Sequence, residues 1–369
     1  MSAPPRPGAA ASRGLALPPA AEPATTTSPT GRGVEPATAI PPTGPGAGPE
    51  QQHAAPVRGP RLTVGIIGAG RVGPVLGAAL ARAGHRVAAV TGTSATARER
   101  IARLLPGVEV RPAGEVARAA TDLLLIAVPD DALAAVVTGL AGTGALRPGQ
   151  VVAHTSGAHG TDVLAPALAA GALPLAVHPA MTFTGTADDL SRLPGISYGV
   201  TAPASLRAYA ARLVADLGGV PEWIAEPDRP LYHAALAHGA NHLVTLVNEA
   251  ADRLRDAGVG DPAKVLRPLL EAALGNALRL GDAALTGPVS RGDAGTIARH
   301  LDRLAVTAPD SVPSYLALAR RTADRAIAAG RLRPVDAEPL LGVLADRDRD
   351  IVRDRAGVSG RAATRGGAA

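Results

Sequence analysis

The stretch Leu62-Thr-Val-Gly-Ile-Ile-Gly-Ala-Gly-Arg-Val-Gly73 constrains this chain more than any other. A short apolar run (Leu62, Val64, Ile66, Ile67) meets Gly68, Gly70 and Gly73 at the spacing G-x-G-x-x-G, and an Ala/Leu-rich helical pattern follows from Pro74 to Ala83. Strand, glycine turn and helix in that order form the context in which this spacing marks a dinucleotide site. The first glycine permits the tight turn, the second lets the backbone approach a pyrophosphate, and the third allows close packing of helix on strand. Free N–H groups at the helix start attract the phosphate charge. Gly68, Gly70, Arg71, Val72 and Gly73 are therefore the expected pyrophosphate-binding residues. Without a ligand the same glycines make only a tight turn, so the strands that follow carry the decision.

His85 to Val90 reads as the second strand. An NAD-preferring unit places an Asp or Glu near its end, about 20 residues beyond the fingerprint, to hold the ribose hydroxyls. Here that place reads Thr91-Gly-Thr-Ser-Ala-Thr-Ala-Arg98. The hydroxyls of Thr93 and Ser94, with Arg98 and Arg100, suit a 2′-phosphate, because Arg binds phosphate through a forked donor set. NADP is thus expected ahead of NAD. The alternative is a solvated loop with Ser94 as a helix N-cap.

Val108 to Val110 is expected as a short strand and Gly114 to Ala119 as a short helix. Thr121 to Val128 is a continuous apolar run, the mark of a parallel strand buried on both faces, and it ends in Val128-Pro129-Asp130-Asp131. Gln150 to Ala153 ends in His154-Thr-Ser-Gly-Ala158, and Pro174 to Val177 ends in His178-Pro-Ala-Met-Thr182. In open α/β sheets ligands sit at such carboxyl ends. The fold class is α/β, with a Rossmann-like parallel sheet followed by a helical region.

The expected organisation is a disordered Pro/Ala/Gly-rich tail at 1–58, a nucleotide-binding domain at 59–190, and a connecting strand–helix–strand at 191–227. A helical substrate and dimerisation domain follows at 228–345, and then a second disordered tail at 346–369. The first tail has too few large apolar residues to offset its chain entropy. Pro230 to Leu254 reads as one long helix, followed by helices at 262–280, 293–305, 312–329 and 339–344. Hydrophobic residues make up 46% of the chain but aromatics only 2%, so the core must be built from Ala, Leu and Val.

The formal charge is +5, yet Arg alternates with Asp and Glu, as in Asp346-Arg-Asp-Arg-Asp350. No basic stripe is interleaved with aromatics, which argues against nucleic-acid binding. The chain has no cysteine, which excludes disulfides and thiolate chemistry and fits a reducing compartment. No apolar run approaches the ~18 residues of a membrane span, and the N-terminus lacks a signal-peptide pattern. A cytoplasmic protein with a small-molecule substrate, and neither membrane nor nucleic-acid partner, is expected.

A nicotinamide-dependent reductase must hold the ring against a carbonyl or imine carbon and place a donor near the atom that gains charge. His154 and His178, at strand ends, are candidate proton donors, with Ser156 nearby as a substrate ligand. On the long helix His233, Ala237, Asn241, Thr245 and Asn248 recur at spacings of four and three and share a face. Asn241, a polar amide in an apolar stretch, is a catalytic candidate there, and His233 a substrate ligand. His238 and His242 have metal-pair spacing but no carboxylate completes a site, so no metal is expected. Ser290 and Arg291, in the loop before the helix at 293, suit a substrate carboxylate, with Asp293 as the helix cap.

The fingerprint at 68–73, Ala127-Val-Pro-Asp-Asp131, His154-Thr-Ser-Gly-Ala158, His178-Pro-Ala-Met-Thr-Phe183, Tyr232 to His242 and Leu285 to Asp293 occur in that order. Together they resemble a widespread bacterial family of Rossmann-like oxidoreductases with a C-terminal domain of unknown function (domain of unknown function 2520). The resemblance covers about residues 61–345, and its wider relatives are pyrroline-5-carboxylate reductase, ketopantoate reductase and deazaflavin-dependent NADP reductases. It implies a helical domain of the 6-phosphogluconate dehydrogenase C-terminal type that completes the active site and forms a homodimer. It also implies NADP-dependent reduction of a carbonyl or imine on a small carboxylate-bearing metabolite. A non-catalytic NADP-binding sensor or scaffold, and hydride exchange with a deazaflavin, remain as alternatives. The lysine that ketopantoate reductase carries on the first C-terminal helix is missing, and Asn241 is its nearest counterpart.

Overall fold

The computed structural model describes residues 60–365. The tail expected at 1–58 and the end of the second tail, 366–369, lie outside the described residues. In chain order the elements are β1 (Thr63–Ile67), α1 (Gly73–Arg82), β2 (Arg86–Val90), α2 (Ala95–Leu104), β3 (Glu109–Val110), α3 (Ala113–Ala119) and β4 (Leu123–Ile126). There follow α4 (Asp130–Gly142), β5 (Val151–His154), α5 (Ala165–Ala169), β6 (Leu173–Pro179), α6 (Asp188–Arg192), β7 (Ser197–Thr201), α7 (Arg207–Asp216) and β8 (Val220–Trp223). The rest is helical: α8 (Arg229–Leu236), α9 (His242–Asp256), α10 (Pro262–Leu280), α11 (Ala294–Thr307), α12 (Val312–Ala328) and α13 (Pro334–Arg365).

The strands form one eight-stranded sheet in the order β3-β2-β1-β4-β5-β6-β7-β8. β1 to β6 are parallel, as expected of strands whose residues are buried on both faces. Alternation sorts their side chains. Val64, Ile66, Leu123 and Leu125 pack on one face with Val75, Leu76 and Leu80 of α1 and Leu213 of α7. Ile67, Leu124, Ile126 and Val152 pack on the other with Val116 of α3 and Leu133 and Val137 of α4. The order reverses between β1 and β4, and a crevice opens there at the carboxyl ends.

Residues 191–227 do more than connect. β7 pairs antiparallel with β6, and β8 runs parallel to β7, so both extend the sheet. The added partner lengthens β6, which runs two residues beyond the expected end. His178 therefore stands within the strand, opposite Gly199, instead of in a loop.

The long helix expected from Pro230 is interrupted. A π turn at Ala237–Asn241 separates α8 from α9, at small residues that offer little side-chain packing to hold α geometry. Such single wide turns often lie near functional sites. The last helix also departs from expectation: it does not end at Leu344 but continues to Arg365. Leu340 and Leu344 join the core that α11 and α12 form through Ile297, Leu301, Val312 and Leu316. Beyond Leu344, Arg320 bonds the Leu344 carbonyl at 2.9 Å and Asp348 at 3.1 Å, and Arg347 pairs with Asp302. Charges read as a solvated tail thus anchor another four residues. Among the described residues no helix is long and apolar enough to cross a membrane.

Candidate functional site

The crevice between β1 and β4 is a cavity of about 420 Å³ lined by Gly68, Ala69, Gly70, the 91–94 loop, Thr96, Ala97, Arg100 and Ala127 to Pro129. Each fingerprint glycine has its own reason. Gly68 has φ +106°, and an added Cβ would stand 2.2 Å from the Ala127 carbonyl oxygen. At Gly73 a Cβ would stand 2.1 Å from the Gly68 carbonyl oxygen, so this glycine seats α1 against the turn. Gly70 differs: a Cβ there would meet nothing within 4 Å. The fold itself does not require glycine at position 70, whereas close approach of a ligand does.

No side chain caps the start of α1, which leaves its N–H groups free for an anion. Thr91 holds the turn by accepting the Gly68 N–H at 2.8 Å. Ser94 caps α2 by accepting the Ala97 N–H at 3.1 Å, and it still lines the cavity with Thr93 and Thr96. Arg100 donates to the Ala69 carbonyl at 2.9 Å and leaves a buried Nε without a partner. The lining contains no carboxylate. Of the residues expected here, Gly68, Gly70, Thr93, Ser94, Val128 and Pro129 line the cavity; Arg71, Val72, Gly73 and Arg98 do not. Of the two arginines expected at the 2′-phosphate, Arg100, one helical turn from Thr96, lines the cavity and Arg98 does not. Thr96 went unmarked because a hydroxyl in an Ala/Arg-rich helix carries no signal of its own.

Near the carboxyl end of β6, against the start of α8, three ring side chains meet. The His178 Nδ1 lies 3.0 Å from the Tyr232 hydroxyl, with the two rings edge-on. His233 lies edge-on to His178 with ring centroids 6.1 Å apart. Gly157 makes room for both imidazoles, since a Cβ there would fall 2.7 Å from His233 and 3.1 Å from His178. Burial, with the charges of His233 and Arg229, pushes the His178 pKa down to about 4, while Asp130 opposes the shift. His178 is therefore neutral at pH 7, and its Nε2 makes no hydrogen bond among the described residues.

Behind the cluster Arg229 is fully buried. Its Nε donates to the Thr201 hydroxyl at 2.7 Å, and its Nη2 to the carbonyls of Gly199 at 3.0 Å and Ala176 at 3.4 Å. These bonds fasten the first turn of α8 to β6 and β7, and so place Tyr232 and His233. Arg229 gave no signal in the sequence, since its neighbours in the Glu226 to Pro230 turn are polar and read as surface.

Other candidates are corrected by their surroundings. His154 is fully buried, with Nε2 donating to the Gly160 carbonyl at 2.7 Å and Nδ1 accepting the Ser156 N–H at 3.2 Å. Both ring nitrogens are committed to the loop, so His154 shapes it and donates no proton to a ligand. Ser156 accepts the N–H groups of Ala158 and His159, each at 3.2 Å, and is a turn residue. Asn241 ends the π turn, exposed, some eight residues (about 12 Å of helix) past His233. Ser290 is buried and donates to the Gly287 carbonyl at 3.1 Å, and Arg291 is exposed beside it in the helical bundle. Asp293 caps α11 through the Thr296 N–H at 3.0 Å. The structure does not bring Ser290 and Arg291 to the histidine cluster, and with them goes the argument for a substrate carboxylate.

The fate of His154 sets a pH dependence. Burial lowers its folded-state pKa from 6.5 to about 4. Between those values the unfolded chain binds the extra proton, so stability rises with pH in that window. The contribution is complete above about pH 6.5 and is lost as the pH falls towards 4; a shift of this size corresponds to about 3 kcal/mol. Urea unfolding from pH 7 to 4 should show this fall. His178, also lowered to about 4, acts in the same window, so His154→Asn should remove about half of the combined slope. An unchanged slope in the variant would assign the acid sensitivity to other groups.

Comparison with known proteins agrees with this architecture. A Rossmann-like domain matches residues 47–179, and a domain of unknown function (DUF2520) matches residues 196–322. No curated protein matches the chain. Among solved structures, a Bacteroides fragilis protein assigned as an NADP oxidoreductase is 22% identical, with 72% of this chain and 98% of that one covered and a TM-score of 0.61. A Thermotoga maritima protein is 17% identical over 72% of this chain and 99% of its own, with a TM-score of 0.53. An imine reductase from a Pseudomonas species is 20% identical over 74% and 99%, with a TM-score of 0.53. At these identities the likeness is one of fold.

Proposed function

We propose that this chain, which joins a Rossmann-like domain to the domain of unknown function 2520, is an NADP-dependent oxidoreductase that reduces a carbonyl or imine group of a small metabolite. One observation carries the reading: Gly70 borders the cavity at a place where the protein has no steric need for glycine. A pyrophosphate over the start of α1 supplies that need. The hydroxyls of Thr93, Ser94 and Thr96 and the half-satisfied Arg100 suit a 2′-phosphate, and no acidic side chain in the lining would accept a bond from a free ribose hydroxyl. The solved structures of like fold include one assigned as an NADP oxidoreductase and an imine reductase, which supports the same class.

When bound, a reduced nicotinamide supplies hydride, and the chain's own residues handle the proton. In this reading the neutral His178 points its Nε2–H at the substrate oxygen or nitrogen, as a neutral imidazole can when burial lowers its pKa. His233 and Gly157 are the neighbours of this ring. The test is a fluorescence titration of the full chain with NADPH and NADH. NADPH should bind at least about tenfold more tightly; binding of neither nucleotide removes the reading.

The helical region is proposed to dimerise. Leu269, Leu274 and Leu278 of α10 and Val244 and Leu246 of α9 are exposed, Leu278 by 81%. Leu269 and Leu278 lie on opposite sides of α10, and Val244 and Leu246 nearly so on α9, so apolar residues are exposed around both helices. Such surface marks an interaction site, and a second copy of the chain is the partner proposed. Sedimentation should give twice the chain mass, and Leu278→Asp should shift the protein towards monomer. A monomeric parent protein rules the dimer out.

A further inference from the structure

We propose that Tyr232 is the proton reserve of His178, and that the buried Arg229 guanidinium is the counter-charge held ready for the tyrosinate that results. The inference rests on the reductase reading above. It starts from a buried cation without an ion pair at contact distance. Arg229 makes no ion pair among the described residues, and its Nη1 is buried without any partner. Burying a charge costs several kcal/mol unless an opposite charge compensates it, and carbonyl dipoles compensate only in part. A packed apolar residue would hold α8 to the sheet with less strain on the fold.

The group beside Arg229 that can become negative is Tyr232, whose ring centroid lies 5.8 Å from the guanidinium carbon. Glu226 also favours the Arg229 cation, but it makes no ion pair with it: its carboxylate accepts the N–H and hydroxyl of Thr161 and the N–H of Asp162. The hydroxyl of Tyr232 is seated directly on Gly199, where a Cβ would come within 2.5 Å of it, so strand β7 leaves that position clear. Arg229 and the Gly199 backbone N–H favour the ionised phenol, while burial and the Glu222 charge oppose it and hold its pKa above the usual value. The phenol keeps its proton at rest, and the acceptor in reach when the substrate draws a proton from Nε2 is His178 Nδ1, 3.0 Å away.

The protons then balance. As the substrate carbon accepts hydride, the electron pair of its double bond moves to the oxygen or nitrogen, which takes the proton from His178 Nε2. His178 Nδ1 takes the Tyr232 hydroxyl proton, so the imidazole stays neutral with its tautomer reversed. The negative charge rests on the Tyr232 oxygen near Arg229 until Nδ1 returns its proton to that oxygen and Nε2 takes one proton from water. Without the Tyr232 proton, loss of Nε2–H would leave His178 as an imidazolate, a far stronger base than a phenolate.

The test is ¹⁵N NMR of the histidine-labelled full chain, with the His178 signals identified by comparison with His178→Gln. The parent protein should show His178 as a single neutral tautomer protonated at Nε2. Tyr232→Phe should populate both tautomers, leave the NADPH affinity unchanged, and lower turnover by about tenfold or more. A parent His178 protonated at Nδ1, or a Tyr232→Phe variant that turns over at the parent rate, overturns the proposal. The tautomer measurement needs neither cofactor nor substrate. Its failure is therefore distinct from failure of the reductase reading, which shows as absent NADPH binding in the parent.

Discussion

Replacing Gly70 with Asp is expected to weaken NADPH binding at least about a hundredfold, roughly 2.7 kcal/mol, while the protein stays folded. The two halves of that expectation come from one geometric fact. A side chain at position 70 meets no protein atom within 4 Å, and the residue does not have positive φ, so the fold tolerates it. The same side chain would enter the cavity at the start of α1 and set a carboxylate against a pyrophosphate, adding like-charge repulsion to steric exclusion. Gly68 offers no such clean experiment, because its φ of +106° and the Ala127 carbonyl at 2.2 Å make any substitution a folding defect. Titration of NADPH fluorescence, with a thermal melt as the folding control, reads both halves. A Gly70→Asp protein that binds NADPH within a few-fold of the parent would leave the glycine turn without a nucleotide role.

His178→Ala is expected to lower turnover by a factor on the order of 10² to 10⁴ with little change in NADPH affinity, the range for loss of a positioned acid or base. The measurement is NADPH oxidation against a panel of 2-oxo acids and cyclic imines, followed by the variant on whichever compound the parent reduces. His178 is singled out because it is the strand-end histidine with a ring nitrogen to spare, its other nitrogen being held by Tyr232. His154, three residues before Gly157, has both nitrogens bonded to its own loop. Parent-like turnover by His178→Ala would move proton delivery to solvent and end the case for the cluster as a catalytic site.

Much of the nucleotide cavity was legible in the chain because its signals are local. The glycine spacing, the apolar runs at β1 and β4 and the hydroxyls after β2 each lie within one short stretch, and backbone sterics give each one reading. Ser94 illustrates the limit: cap and cavity wall had been weighed as alternatives, and the structure has it as both. The histidine cluster was legible only in part. His178 and His233 were singled out, but Tyr232, the adjacent residue in sequence, was not, since neither period nor spacing tells which atom a side chain will meet.

What the sequence by itself determined is the alternation of buried parallel strands and helices, the fingerprint turn and the helical second half, all written in residue periodicity and glycine placement. The tertiary structure alone decided that β7 turns antiparallel and lengthens β6, which carries His178 into the strand opposite Gly199. It alone decided that His154 is spent on its loop, and that a buried Arg229 pins α8 where Tyr232 reaches His178. The physical reason is range. Periodicity and turn chemistry act over a few residues, whereas burial, hydrogen-bond saturation and pKa depend on groups brought together from 54 positions away, as His178 and Tyr232 are.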